Sequence, residues 1–191
     1  MKRIIFLAIT VLVLTARGSA AQGFISPFIG TTLTAPTEVG SHTKAGWGVD
    51  FGALGKIVGA ETEIAWYPEI IDIAANAIDK SKVISFSGDM LIGPTMGAVK
   101  PYFAIGAGNL HLNVTGLSTV VVPNPTEISN NYFTGNLGGG VFVFFTKNLG
   151  VRGDLRYFKA YGFDLGDLQG AGLVLDNFNF WRGSIAFAAK F

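Results

Sequence analysis

The chain has 191 residues, 49% hydrophobic and 14% charged, with a formal net charge of +1 and no cysteine. That balance gives no basic footprint for nucleic acid, and the missing cysteine excludes disulfides, thiolate metal sites and thiol chemistry. Charge well below the ~25% of ordinary soluble domains, 26 glycines and a mean hydropathy of +0.43 point to a surface not bathed throughout in water.

At the amino end, Lys2 and Arg3 precede an apolar run from Ile4 to Leu14 interrupted by Thr10, followed by Gly18, Ser19, Ala20 and Ala21. This is the pattern of a secretory signal peptide over residues 1–21, cut before Gln22, because the run is well short of the ~20 residues a spanning helix needs. Residues 22–191 are then expected to form one domain. No later stretch holds ~18 consecutive apolar residues, so spanning helices are not expected.

Alternation in the remaining chain predicts eight strands, near 23–32, 45–54, 57–67, 83–92, 100–110, 132–145, 149–159 and 178–191. Most are about ten residues long, the length of a tilted transmembrane strand. One competing helical pattern, from Glu69 to Lys82, falls inside a connection. The connections alternate in length. Those after the second, fourth and sixth strands are tight, whereas 33–44, 68–82, 111–131 and 160–177 are long. Long external loops and short periplasmic turns produce this asymmetry in outer-membrane barrels, and put both termini on the periplasmic side.

The two faces of the strands differ. Trp47, Val49, Phe51 and Ala53 oppose Gly48, Asp50 and Gly52 in the second strand, and Ile64 and Trp66 oppose Glu61 and Glu63 in the third. Later, Phe86 and Met90 oppose Ser87 and Asp89, and Leu155 and Tyr157 oppose Arg152, Asp154 and Arg156. A period of two between an apolar and a polar row marks a strand between unlike media. Phe24, Phe28, Phe142 and Phe144 break the rule, because their parity turns them to the polar side. On that side Asp50, Glu61, Glu63, Asp89 and Asp154 face Lys100, Arg152, Arg156, Arg182 and Lys190, five of each sign. Oppositely charged residues among Gly, Ala and Ser suit a narrow lumen better than a solvated exterior, which disfavours a soluble barrel with its apolar row inside.

Trp47, Trp66 and Trp181, with Tyr157, share the apolar row near the loop-side strand ends, as an interfacial girdle requires; Phe145 and Phe191 would mark the opposite rim. Pro27 and Pro101, each costing a ladder hydrogen bond, are expected near the periplasmic rim. The last strand alternates Trp181, Ile185, Phe187, Ala189 and Phe191 with Arg182, Ser184, Ala186, Ala188 and Lys190, and ends on its aromatic residue.

Lys100 to Gly108, the Gly138–Gly139–Gly140 run, Arg152 to Phe158 and the terminal Phe191 together resemble the small eight-stranded outer-membrane β-barrels that include the OmpA transmembrane domain, OmpX and OmpW. The resemblance covers residues 22–191. It implies an all-β, antiparallel, up-and-down transmembrane barrel in the outer membrane, monomeric and without cofactors, in contact with outer-membrane lipid and lipopolysaccharide. It also implies recognition of the strand ending in Phe191 by the barrel assembly machinery. The cell-wall-binding domain of full-length OmpA is not expected here, and its tether is not carried over.

No catalytic pattern is found. Lipid A deacylases of this architecture resemble a Ser-His-Glu machine with a His-x-Ser element, whereas His111 precedes Leu112 and Asn113, and His42 precedes Thr43 and Lys44. The inward ions, Asp50, Glu61, Glu63, Asp89, Arg152, Asp154, Arg156 and Arg182, are expected to form a plug centred on the two arginines of the seventh strand with Glu61 and Glu63. Eight strands leave an interior just wide enough for side chains. A gate whose pairs exchange and admit small solutes is the alternative. Apolar segments at 69–78, 114–122 and 163–175 could extend the barrel above the membrane, packing on one another, docking a partner or lining a route for a hydrophobic solute as in OmpW-like proteins.

Overall fold

A computed structural model describes residues 21–33, 44–68, 80–115, 128–161 and 179–191. The signal segment, His42, the apolar segments at 69–78 and 163–175, and residues 116–122 of the third lie outside the described residues.

Eight strands, β1 (Gln22–Thr32), β2 (Ala45–Leu54), β3 (Val58–Pro68), β4 (Lys80–Ile92), β5 (Val99–Thr115), β6 (Ile128–Phe144), β7 (Leu149–Tyr161) and β8 (Asn179–Lys190), pair in chain order into a closed barrel. Every pairing is antiparallel, including β1 with β8. Closure leaves no unpaired edge, the condition for a sheet in hydrocarbon. Ile25, Ile29, Phe51, Ile64, Phe103 and Leu155 stand exposed on the outside, while the charged row of the same strands is buried.

The tight turns follow their residues. Gly55 N–H donates to Val58 O at 3.0 Å between β2 and β3, and Thr146 Oγ1 accepts Leu149 N–H at 2.8 Å between β6 and β7. Between β4 and β5, Met96 and Val99 exchange backbone hydrogen bonds around Gly97, whose φ of 62° favours glycine. The terminus closes the seam. Phe191 N–H donates to Gly23 O at 2.9 Å, and its ring lies where a Cβ on Gly23 would stand, 2.5 Å from Cε2.

Two differences from the sequence reading have physical causes. First, β5 and β6 continue through residues assigned to a loop, and Lys80–Lys82 belong to β4 and not to a helix. Along the upper part of β5 the rows invert: Asn109, His111 and Asn113 turn outward while Leu110 and Leu112 are buried. A barrel wall that has left the lipid meets water outside, so the lipid-facing signature disappears there. Second, Pro27 lies midway along β1, not at a rim. Odd residues of β1 face β8, as Phe191 N–H on Gly23 O shows, and the β1–β8 pairing lapses at Ser26 and Pro27 because Pro27 has no N–H for Phe187. Pro101, by contrast, sits two residues into β5 at the turn end. Phe24, Phe28, Phe142 and Phe144, which parity turns to the polar side, are all buried in the lumen as that parity requires.

Candidate functional site

The lumen is filled in three layers. At the turn end, Phe24, Leu54, Leu91, Tyr102, Phe142 and Phe144 form an apolar floor. Phe142 is its hub, edge-on to Phe24 at 5.5 Å and stacked on Phe144 at 5.7 Å. Toward the loop end, Phe158 and Phe180 stack at 5.0 Å, and Tyr67 meets Phe180 edge-on at 6.2 Å, making a roof. The ions lie between.

Each ion is placed by parity and register. Ser26, Asp50, Glu63 and Ser87 are successive cross-strand partners from β1 to β4, and Glu61 pairs with Asp89. The arginines come from β7 and β8 and reach across the lumen. Arg152 donates from Nη1 to Asp50 and Glu61, both at 2.8 Å, from Nη2 to Glu61 at 2.9 Å, and from Nε to the Tyr102 hydroxyl at 2.6 Å. Arg156 donates from Nε to Asp154 at 2.8 Å, from Nη1 to Asp89 at 3.0 Å, and from Nη2 to Glu61. Arg182 makes a forked pair with Glu63, at 2.5 and 2.6 Å, and donates to the Tyr67 hydroxyl at 2.8 Å. A planar guanidinium suits such multiple recognition, and the low-dielectric interior strengthens each bond.

The arginines also join the layers. Arg152 Cζ lies 4.9 Å from the Phe142 ring centre in the floor, and Arg182 Cζ lies 4.9 Å from both Phe28 and Phe158. Tyr102 belongs to floor and network alike, since its hydroxyl donates to Asp154 at 2.5 Å while accepting from Arg152. Asn136 and Ser87 complete Asp89, donating at 2.6 and 2.9 Å.

All eight residues expected in the interior network are thus brought together, with Glu61, Arg152, Arg156 and Asp154 at the middle. The expected balance of five charges of each sign does not hold within this cluster. Lys100 Nζ instead ties together the turns, donating to Gly55 O at 2.7 Å, Gly93 O at 3.2 Å and Thr95 Oγ1 at 3.1 Å. Lys190 Nζ sits 3.8 Å over the Phe144 ring. The cluster therefore holds five carboxylates and three guanidiniums. Parity assigns the two lysines to the right face but says nothing of depth, and both stand one layer below the arginines. Tyr67, Tyr102, Asn136 and Ser87 are the members the charge pattern missed, although all four lie on the inward row.

The expected girdle residues sit on the outer wall. Trp47 stacks on Trp66 at 5.7 Å, and Tyr157 contacts Trp181 at 5.3 Å. Phe191 is exposed at the opposite rim. His111 bonds Asn131 across the β5–β6 pair at 3.0 Å. Among the described residues, no three His, Cys, Asp or Glu side chains form a group suited to a metal ion.

A family described as outer membrane protein beta-barrel domain matches residues 6–181. The chain belongs to this family. It is an outer-membrane protein. Among solved structures it is similar to Neisserial surface protein A, with a TM-score of 0.62 at 13% identity over 90% of this chain and 98% of that one. It is also similar to Ail of Yersinia pestis, solved with the heparin analogue sucrose octasulfate, with a TM-score of 0.60 at 12% identity over 90% and 99% of the two chains. OprG of Pseudomonas aeruginosa gives 0.52 at 14% identity over 90% and 96%. At such identities the likeness is one of fold. Among curated proteins, none matches the sequence.

Proposed function

We propose that this protein is a non-enzymatic outer-membrane barrel with a closed lumen, acting as a structural or surface-interaction element through its external end. The observation that carries this reading is the layered interior: Arg152, Arg156 and Arg182, each no more than 2% exposed, are held between two aromatic layers. Solute passage would require breaking several charge-assisted bonds at once inside a medium that cannot replace them. His111, the histidine among the described residues, faces a strand neighbour instead of a nucleophile, which supports the non-enzymatic reading. Exposed Phe191, at 80%, is available to an assembly factor that reads the last strand, and the outward apolar row suits a monomer solvated by lipid.

Planar-bilayer recordings of the refolded protein test the reading. Negligible conductance is expected, together with heat-modifiable migration on gels; sustained large conductance would overturn the closed lumen. One observation favours a second reading, a conduit for small hydrophobic solutes: the inner wall of the β5 extension is apolar, with Leu110 and Leu112 buried beside Tyr132. Saturable enhancement of a hydrophobic fluorophore, lost in Leu110→Asp, would support that conduit.

A further inference from the structure

The side chains at the turn end of the barrel carry charge of one sign. Lys56 and Lys147 stand exposed in the β2–β3 and β6–β7 turns, Lys190 is half-buried at the turn end of β8, and Lys100 is buried against the β2–β3 turn. No Asp or Glu accompanies them. Of the chain's 13 acidic residues, five are in the lumen and the other eight belong in sequence to the long connections at the opposite end. Among the described residues, none of the four lysines makes an ion pair.

Register sorts these cations into two groups. Lys100 Nζ donates to Gly55 O at 2.7 Å and to Gly93 O at 3.2 Å, which fixes the turn bearing Lys56 against the β4–β5 turn. Lys190 N–H donates to Asn148 O at 2.7 Å, so Lys190 adjoins the turn bearing Lys147. In a closed ring paired in chain order, the β2–β3 and β6–β7 turns are separated by the same number of strands either way round and face each other across the mouth. Eight strands spaced ~4.8 Å and tilted ~40° make that mouth roughly 16 Å wide, the reach of about five residues of extended chain. Apolar side chains stand among the charges: Ile57 and Met96, 61% and 62% exposed, belong to the two turns that Lys100 holds together.

We infer that this face docks an acidic peptide segment of a periplasmic protein, extended across the mouth with one carboxylate at Lys56 and another at Lys147 and Lys190. Short turns of outer-membrane barrels face the periplasm, and opposite charge across an interface steers encounter and fixes register. Position and chemistry select the occupant. A phospholipid headgroup of the inner leaflet stands outside the strand ring and meets one side of it, whereas a chain crossing the mouth neutralises both groups. Exposed Ile57 and Met96 suit a peptide, which brings apolar side chains along with its carboxylates, over a wholly polar polyanion. The inference goes beyond the role proposed for the external end and stands whether or not the lumen conducts.

The test is fluorescence anisotropy of a labelled, capped hexapeptide, with glutamate at both ends and leucine within, titrated with the refolded full chain in nanodiscs of zwitterionic lipid at low salt. Saturable binding is expected, weakening as salt rises. A hexapeptide with one glutamate replaced by glutamine should bind about three- to fivefold less tightly, the worth of one exposed ion pair. Lys56→Gln and Lys147→Gln should each weaken the diacid peptide by about that factor and remove its advantage over the monoacid one. Both side chains are exposed in turns, so the variants are expected to fold, as heat-modifiable migration checks. Lys82→Gln, at the loop end, should change nothing. Equal binding of the two peptides by wild type, or an affinity left unchanged by Lys56→Gln and Lys147→Gln together, would overturn the docking surface. Loss of peptide binding when phosphatidylglycerol replaces the zwitterionic lipid would overturn the peptide as occupant in favour of the inner leaflet.

Discussion

Arg156 is the residue on which the interior turns. It is fully buried, and its guanidinium bonds Glu61, Asp89 and Asp154, with Glu63 3.6 Å away. Truncation would leave four carboxylates confronting one another without their shared cation, which is far costlier than the modest net worth of an intact buried pair. Arg156→Ala is therefore expected to destabilise the barrel by about 3–5 kcal/mol, read as a lower urea midpoint in vesicles. Arg156→Lys should recover little of this, since an ammonium keeps the charge but not the planar set of donors. The sequence reveals which residues point inward, because parity is a local property. It does not reveal who meets whom: Arg152 reaches Glu61 from 91 positions away, across a lumen whose stagger no local pattern encodes. Lys100 shows the same limit, sharing the inward row with the arginines yet spending its charge on turn carbonyls.

At the scale of the strand, lipid writes the pattern and water erases it. The eight strands and their tight turns are legible because a bilayer demands an unbroken apolar row of fixed length. Where β5 and β6 pass above it, outward Asn109, His111 and Asn131 take the place of apolar residues, and the strand reads as a loop. Pro27 has a different lesson. A proline inside a closed barrel would be anticipated where pairing ends, yet it interrupts the β1–β8 seam at mid-height, leaving Phe187 O without the N–H that any other residue would supply. Its outward, exposed position means that a β-branched side chain fits there. Pro27→Val is expected to add one ladder bond and stabilise the barrel by about 0.5–1.5 kcal/mol, raising the urea midpoint and slowing amide exchange along β1 and β8.

For the molecule as a whole, the proposed closure of the lumen is redundant. If floor, ionic layer and roof each block the lumen, Phe142→Ala, Arg152→Ala or Phe180→Ala alone should leave bilayer conductance negligible; the first two together should also, because the Phe158–Phe180 stack stays at the loop end. The wall does not depend on these side chains for its pairing, since strand ladders run around the full circumference. Replacing all three residues at once removes the hub of each apolar layer and the cation that bridges floor to centre. That variant is expected to keep its heat-modifiable migration and to conduct. The selectivity of the resulting pore follows from the charge count. With Arg152 gone, Arg156 and Arg182 face five carboxylates, so the constriction is net negative and should pass cations. A reversal potential measured across a potassium chloride gradient checks this, and an anion-selective pore would mean that the carboxylates do not line the path.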